Sequence, residues 1–178
     1  SIALDAFDPR WSDVDFVAVI SRRATASDCE HLVAVHAQIA AQYPQWALEG
    51  SYLQVSDIGR LDDAVEPYPH FADTLRPDEH NALTLVTWWL LKTHGIAVRG
   101  AAPESLDFTV DWSLLVTRMH ENLNSYWAQF ARPSQRALWL LSDYGIQWAV
   151  LGVLRQYYSF REGDITSKTG AGAYALAH

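Results

Sequence analysis

The sequence predicts an α+β fold in which a small unit of strands and helices precedes a bundle of helices. Three observations support this prediction. Residues 13–20 first alternate and then become continuously apolar, which is typical of a strand entering a core. Ser27 and Glu30 have the spacing of a capping box, which predicts a helix starting there. After residue 80, apolar residues recur mainly at helical spacing.

The first helix is expected to end at Tyr43, because Pro44 lies just past the last apolar residue of the helical pattern. Residues 46–55 predict a second strand. The next stretch is rich in charge and proline and has no regular period, so we predict a linker at residues 67–80. A small α/β unit would then occupy residues 1–66.

The remaining residues, 81–178, are predicted to form the helical domain. Gly95 and Gly163 lie where left-handed helix terminators are expected, and Gly145 predicts a bend or break. The expected helices cover residues 81–94, 110–130, 134–160 and a short segment from Ser167. Because the sequence begins with Ser rather than Met, we expect a further segment before Ser1.

Composition restricts the classes of partner. The chain has 13 Lys+Arg against 21 Asp+Glu and a formal net charge of −8, without a basic run. Nucleic acid and anionic membrane surfaces attract clustered positive charge, so neither is expected, and a cationic partner fits better. The apolar stretch 83–91 is far shorter than the roughly 20 residues that span a bilayer. The single cysteine, Cys29, is compatible with a reducing compartment, so we expect a cytoplasmic protein.

Two carboxylates begin the first predicted strand. Asp13 and Asp15 are two residues apart, so their side chains share one face about 7 Å apart along the strand. Like charges this close are costly unless a cation neutralises them. Mg²⁺ prefers oxygen ligands and commonly takes one or two carboxylates plus substrate phosphates. On spacing alone, two ordinary solvated carboxylates remain the alternative.

The surrounding residues resemble a known signature. Ser1 to Phe7, followed by Ser12, Asp13, Val14 and Asp15, resembles the motif of the polymerase-β-like nucleotidyltransferases: a Gly-Ser turn, a loop or helix, then Asp-x-Asp on a strand. The motif glycine would precede Ser1. The resemblance implies a mixed sheet with flanking helices, with Asp13 and Asp15 as catalytic magnesium ligands. It also implies that Ser1 and Ser12 approach the nucleotide triphosphate.

That family also carries a third carboxylate on a neighbouring strand. Glu49 is the one acidic residue between Trp46 and Leu53, and Asp57 lies past the end of the predicted strand. The resemblance implies that Glu49 completes the metal site or acts as the general base. The alternative is an outward-facing strand charge without a chemical role.

The second half resembles the helical domain of bacterial aminoglycoside adenylyltransferases of the streptomycin/spectinomycin type. The resemblance implies that Lys168 contacts ATP phosphate at a helix start, where anions are favoured. Arg155 would support the phosphates or pair with an acidic neighbour. The matching residues are His94, Gly95, Ile96, Val98 and Gly100, and then Leu151, Leu154, Arg155, Tyr158, Ser159, Gly163, Ile165, Ser167, Lys168 and Tyr174.

Residues for the acceptor are implied in the same way. The family binds a cationic, hydroxyl-rich substrate with acidic and aromatic side chains, which points to Asp143 with Tyr144, and to Trp148 with Trp139 nearby. Trp88 and Trp89 are instead predicted to lie in the core.

The resemblance as a whole implies magnesium-dependent transfer of AMP from ATP to a hydroxyl of an aminoglycoside, which would confer antibiotic resistance. Two alternatives stay open. The acceptor could be a lincosamide, a protein side chain or a tRNA, although the acidity of the chain disfavours RNA. The chain could also be a non-catalytic, antitoxin-like binding module with this fold.

Overall fold

The computed structural model describes residues 2–10, 12–80, 82–131, 140 and 142–178. The chain divides into two compact units, Ser1–Val110 and Asp111–His178. The first contains a four-stranded mixed sheet and the second is helical in its described residues, so the α+β class is confirmed. Within the described residues, no helix is both long and apolar enough to cross a membrane.

Within the part of the chain that the structure describes, the sheet has four strands in the order β1-β2-β3-β4. β1 runs parallel to β2, as a strand–helix–strand connection requires, and the other neighbours are antiparallel. The predicted strands at 13–20 and 46–55 are confirmed as β1 and β2. The bounds are β1 Val14–Ile20, β2 Leu48–Gln54, β3 Tyr68–Ala72 and β4 Thr74–Glu79.

Helix α1, Ala26–Gln42, connects β1 to β2. Its capping box is formed by Thr25 and Asp28, so the predicted pair Ser27 and Glu30 was wrong by two residues. Thr25 and Asp28 have the same spacing, and Arg22 reinforces them through hydrogen bonds of 2.6 and 3.0 Å to the Asp28 carboxylate. The ion pair therefore favours the earlier start.

The predicted linker at 67–80 is wrong, because these residues form the β3–β4 hairpin. Pro69 lies where the pairing between β3 and β4 is irregular, and Pro77 lies on β4, the last strand of the sheet. Both are positions where a strand tolerates a residue without an N–H. The boundary between the two units accordingly falls at residues 110 and 111 rather than at 80 and 81.

One face of the sheet carries the main core of the first unit. Leu53, Tyr68 and Trp88 are fully buried, and Trp88 lies on α2, Leu85–His94. The polar atoms that enter this core are satisfied: the Trp88 indole donates to the Arg60 carbonyl at 2.7 Å, and the Tyr68 hydroxyl donates to Asp62 at 2.6 Å. The core role predicted for Trp88 is confirmed, whereas Trp89 is half-buried.

The opposite face packs against α1 through an aromatic cluster. His36 is buried and stacks on Phe71 with 3.6 Å between ring centroids and an interplanar angle of 4°. Its Nε2 lies 2.7 Å from the Tyr52 hydroxyl, which ties the helix to β2. Burial lowers the pKa of His36 below its usual value because a charged imidazole is poorly solvated there.

The second unit contains α3 Trp112–Ser125, α4 Leu151–Glu162 and α5 Lys168–Ala177. A single turn at Asp143–Gly145 and a π-helix at Ile146–Val150 lead into α4, so a change of helix type follows Gly145. The expected start of this helix at residue 134 lies outside the described residues.

The two predicted glycine terminators behave differently. Gly163 ends α4 in the left-handed conformation, with φ of 71°, as predicted. Gly95 ends α2 with φ of −60°, so its left-handed assignment was wrong. A side chain there would place its Cβ 2.3 Å from the Leu91 carbonyl oxygen, and glycine is therefore required by close approach.

Replacement of Gly50 tests the pairing of β1 with β2. A Cβ at Gly50 would lie 2.1 Å from the Phe16 carbonyl oxygen and 2.6 Å from its ring. Gly50→Ala is expected to cost about 1–3 kcal/mol in the free energy of unfolding, measured with urea, because overpacking forces the strands apart. The control Gly172→Ala on α5 meets Leu151 at 3.3 Å and should cost little. Equal effects of the two variants would contradict this packing.

His36 gives the fold a pH dependence. Because the folded-state pKa is lowered, the stabilising contribution is present above the ordinary pKa and is lost as the pH falls through the folded-state value. The melting temperature of the wild type should therefore fall more between pH 7.5 and 5.5 than that of His36→Phe. His31→Gln, at an exposed position on α1, is the control and should match the wild type.

Candidate active site

Three predicted site carboxylates converge at one end of the core-bearing sheet face. Asp13 directly precedes β1 and Asp15 lies within it, and both are exposed. The parallel register pairs Asp15 with Glu49 on β2. Paired residues on neighbouring strands point to the same face about 4.8 Å apart. The structure therefore brings Asp13, Asp15 and Glu49 together.

Glu49 has the perturbed electrostatics of this group. Its side chain is 48% exposed. Partial burial is the largest influence and raises its pKa above the usual value, His70 opposes the rise, and the negative charges of Asp13, Asp15 and Asp73 add to it. Glu49 is therefore a better proton acceptor than an ordinary surface glutamate, which is the property a general base needs.

His70 was missed by the sequence analysis and contacts Glu49 directly. Its Nε2 lies 3.7 Å from Glu49 Oε1, and its Nδ1 lies 3.0 Å from the hydroxyl of Ser51. Both His70 and Ser51 are buried. The signal that could have identified His70 is the alternation of Tyr68, His70 and Ala72 as a strand, which the nearby prolines concealed.

Asp73 is a fourth carboxylate that the sequence analysis did not select. It lies in the tight turn between β3 and β4, next to Ala72, the register partner of Glu49. Its φ of 58° is in the left-handed region, which Asp tolerates better than most residues. The turn thus adds negative charge to the same end of the sheet.

The donor set can be compared with the requirements of magnesium. Among the described residues, no group of three or more His, Cys, Asp or Glu side chains is arranged to hold a metal ion. Magnesium does not require such a cage, since one or two carboxylates with phosphate oxygens and water suffice. The exposed carboxylates of Asp13 and Asp15 meet that requirement, whereas a three-carboxylate site that includes Glu49 is not preformed.

The loop before β1 is closed by Ser12. Its N–H donates to the Asp8 carbonyl at 2.8 Å, and its hydroxyl accepts from the Asp8 N–H at 3.0 Å. Hydrogen bonds from Arg10 to the Asp8 carboxylate lower the pKa of Asp8 to about 2. These contacts fix the turn that leads into Asp13, and Ser1 lies outside the described residues.

Asp57, the other acidic residue near the end of β2, has a structural role. It is buried and forms an ion pair with Arg23 at 3.3 Å. A cavity of about 400 Å³ beside it is also lined by Arg60 and Asp63, and its lining contains none of the predicted site residues. Asp13 and Asp15 are exposed and Glu49 is half-exposed, and none of them lines this cavity.

In the helical unit, Lys168 is exposed and is the first residue of α5, as expected. The preceding Ser167 caps the helix by accepting from the Gly170 N–H at 2.9 Å. Arg155 donates from Nε to the Thr166 carbonyl at 2.9 Å, so it holds the segment that leads into α5. This bond gives Arg155 a structural contact, and its predicted phosphate role stays a prediction.

The predicted acceptor residues of the helical unit differ in environment. Asp143 is exposed in the turn that precedes the π-helix, and Tyr144 beside it is 66% exposed. Trp148 packs against Trp127 and Phe130, with ring centroids 4.7 and 5.3 Å apart. Trp148 thus belongs to an aromatic cluster of its own unit. Trp139 lies outside the described residues.

Comparison of the sequence with models of known protein families and with curated proteins finds no match in either. The resemblance to nucleotidyltransferases therefore stays a prediction from the motif residues.

Neutralisation of Glu49 tests the electrostatics of the site. A carboxylate whose folded-state pKa is raised loses stability as the pH rises from the ordinary pKa through the raised one. Without divalent ions, Glu49→Gln should therefore melt above the wild type at pH 7.5, and the difference should be small because solvent screens a side chain that is nearly half exposed. The difference should vanish near pH 4.

Glu30→Gln, at an exposed position on α1, is the matched control and should leave Tm unchanged. A melting temperature of Glu49→Gln at or below that of the wild type at pH 7.5 would show that Glu49 carries no unfavourable charge.

Proposed function

We propose that the protein is a magnesium-dependent nucleotidyltransferase that transfers AMP from ATP to a hydroxyl of a small cationic acceptor of the aminoglycoside type in the cytoplasm. The observation that carries this proposal is the grouping of Asp13 and Asp15 with Glu49 across two parallel strands. Asp13 and Asp15 supply metal-binding oxygens to this group, and Glu49, whose pKa is raised, supplies a proton acceptor. The resemblance of the motifs supports the same chemistry.

Each carboxylate has a separate task. Asp13 and Asp15 are exposed and would hold magnesium together with oxygens of the triphosphate. Bound magnesium would neutralise charge on the triphosphate and on the leaving pyrophosphate. The hydroxyl oxygen of the acceptor molecule forms a bond to the α-phosphorus, and Glu49 takes up the proton of that hydroxyl. The bond from that phosphorus to the bridging oxygen breaks, and pyrophosphate leaves with the electron pair.

The acceptor class follows from charge. Four carboxylates influence one end of the sheet, and the chain as a whole carries a formal charge of −8. Such a field attracts cations and repels polyanions, so a polyamine-like acceptor is favoured over tRNA. In the helical unit, Asp143 is the proposed acceptor contact and Lys168, at a helix start, is the proposed phosphate contact.

Variants of the carboxylates separate binding from turnover. Asp13→Asn and Asp15→Asn should abolish magnesium-dependent ATP binding in calorimetry. Glu49→Gln should retain that binding and lower kcat by about 10²–10⁴-fold, the usual contribution of a general base. Glu30→Gln should behave as the wild type in both assays. Full turnover by Glu49→Gln would show that the base assignment is wrong.

A transfer assay identifies the acceptor. ATP labelled at the α-phosphate is incubated with the protein and a panel of aminoglycosides, lincosamides and proteins. We expect label on streptomycin or spectinomycin, together with resistance to the same drug in bacteria expressing the chain. Label on another acceptor would retain nucleotidyl transfer and replace the substrate. A wild type that does not bind Mg-ATP would instead favour a non-catalytic binding module.

A further inference from the structure

We infer that His70 is a positioning residue that donates a hydrogen bond from Nε2 to Glu49 and so holds this carboxylate in place as the base, apart from Asp13 and Asp15. The inference depends on the proposed function for its catalytic meaning. The contact itself belongs to the first unit alone and is independent of any nucleotide.

The two neighbours of His70 determine which of its ring nitrogens carries the proton. Ser51 can donate its hydroxyl proton to Nδ1 across 3.0 Å, and Nε2 then carries the ring proton toward Glu49 Oε1, 3.7 Å away. In the opposite tautomer, the lone pair of Nε2 would face an ionised carboxylate, which can only accept. Of the two neutral tautomers, the Nε2–H form is therefore the one that satisfies both contacts.

The strand register determines which residues lie beside His70. Ser51 and His70 are direct partners across β2 and β3, and Glu49 lies two residues before Ser51 on the same face. The exposed fractions of His70 and Ser51 are 7% and 4%, so both are enclosed by protein, whereas Glu49 is half-exposed. A buried donor thus faces a half-exposed carboxylate. The separation of 3.7 Å is longer than a hydrogen bond, and we expect it to shorten when substrate binds, as catalytic hydrogen bonds often do.

Charge divides the carboxylates into two groups. Asp13 and Asp15 repel Glu49 from the β1 side, and His70 offers it a donor from the β3 side. This division predicts that the carboxylates do not form a three-ligand metal group. No such group occurs among the described residues. Metal affinity should then depend on Asp13 and Asp15, while proton transfer depends on Glu49 and His70.

A spectroscopic measurement on the wild type tests the contact without nucleotide or metal. In ¹⁵N-labelled protein, we expect His70 as the Nε2–H tautomer, with a ring proton that exchanges slowly, unlike that of exposed His31. Glu49→Ala should shift this resonance and Glu30→Gln should leave it unchanged. An Nδ1–H tautomer, or a resonance insensitive to Glu49→Ala, would overturn the inference.

Two replacements of His70 separate positioning from folding. In His70→Gln, the side-chain amide can place an N–H near the position of Nε2, which faces Glu49. In His70→Asn, the shorter side chain reaches only the position of Nδ1, which faces Ser51. We expect His70→Asn to lower kcat about 10–100-fold, as for other residues that orient a reacting group, with KM for ATP unchanged. His70→Gln should recover most of kcat. Equal losses in both variants, in step with Tm, would show a structural role only.

Manganese titration followed by electron paramagnetic resonance tests the division of the carboxylates. Glu49→Gln should bind Mn²⁺ as tightly as the wild type, and Asp15→Asn should lose binding. Equal loss in both variants would overturn the division. If the wild type neither binds Mg-ATP nor transfers label, the proposed function fails, and the resonance of the His70 ring proton still decides whether His70 holds Glu49.

Discussion

The parallel pairing of β1 with β2 is the constraint on which the rest of the structure depends. Its register places Asp15 beside Glu49, and it requires glycine at position 50, where the neighbouring strand approaches too closely for a side chain. The same alternation that directs the carboxylates to one face directs Val17 and Leu53 to that face two and four residues later. A shift of one residue would therefore remove both the site and the core.

One face of the sheet thus serves two opposed purposes along its length. At one end, carboxylates remain partly in water, where their mutual repulsion is screened. At the other, Leu53 and Tyr68 pack under Trp88 with their polar neighbours satisfied. Ser51 and His70 lie between these ends, buried yet paired with each other, so the polar region ends without an unsatisfied group. Because Glu49 lies next to this buried pair, it is partly removed from water, and this burial raises its pKa.

The sequence predicted the parts whose signals are local. The strands β1 and β2 were predicted, a short last helix was predicted from Ser167, and Gly163 ends α4 in the left-handed conformation as expected. The β3–β4 hairpin was missed because its prolines and charges resemble a linker, and only pairing with β2 makes it a strand. His70 and Asp73 were missed with it. Their relation to Glu49 exists in the register between strands, which no spacing along the chain reveals.

The position of β1 at the edge of the sheet has a consequence for the behaviour of the protein in a crowded cell. An edge strand presents backbone groups that another chain can pair with, and charged side chains on it oppose such pairing. Asp15 on β1, with Asp13 just before it, is such a deterrent. Mutational removal of these charges would therefore favour aggregation, and it would also remove the carboxylates of the proposed metal site.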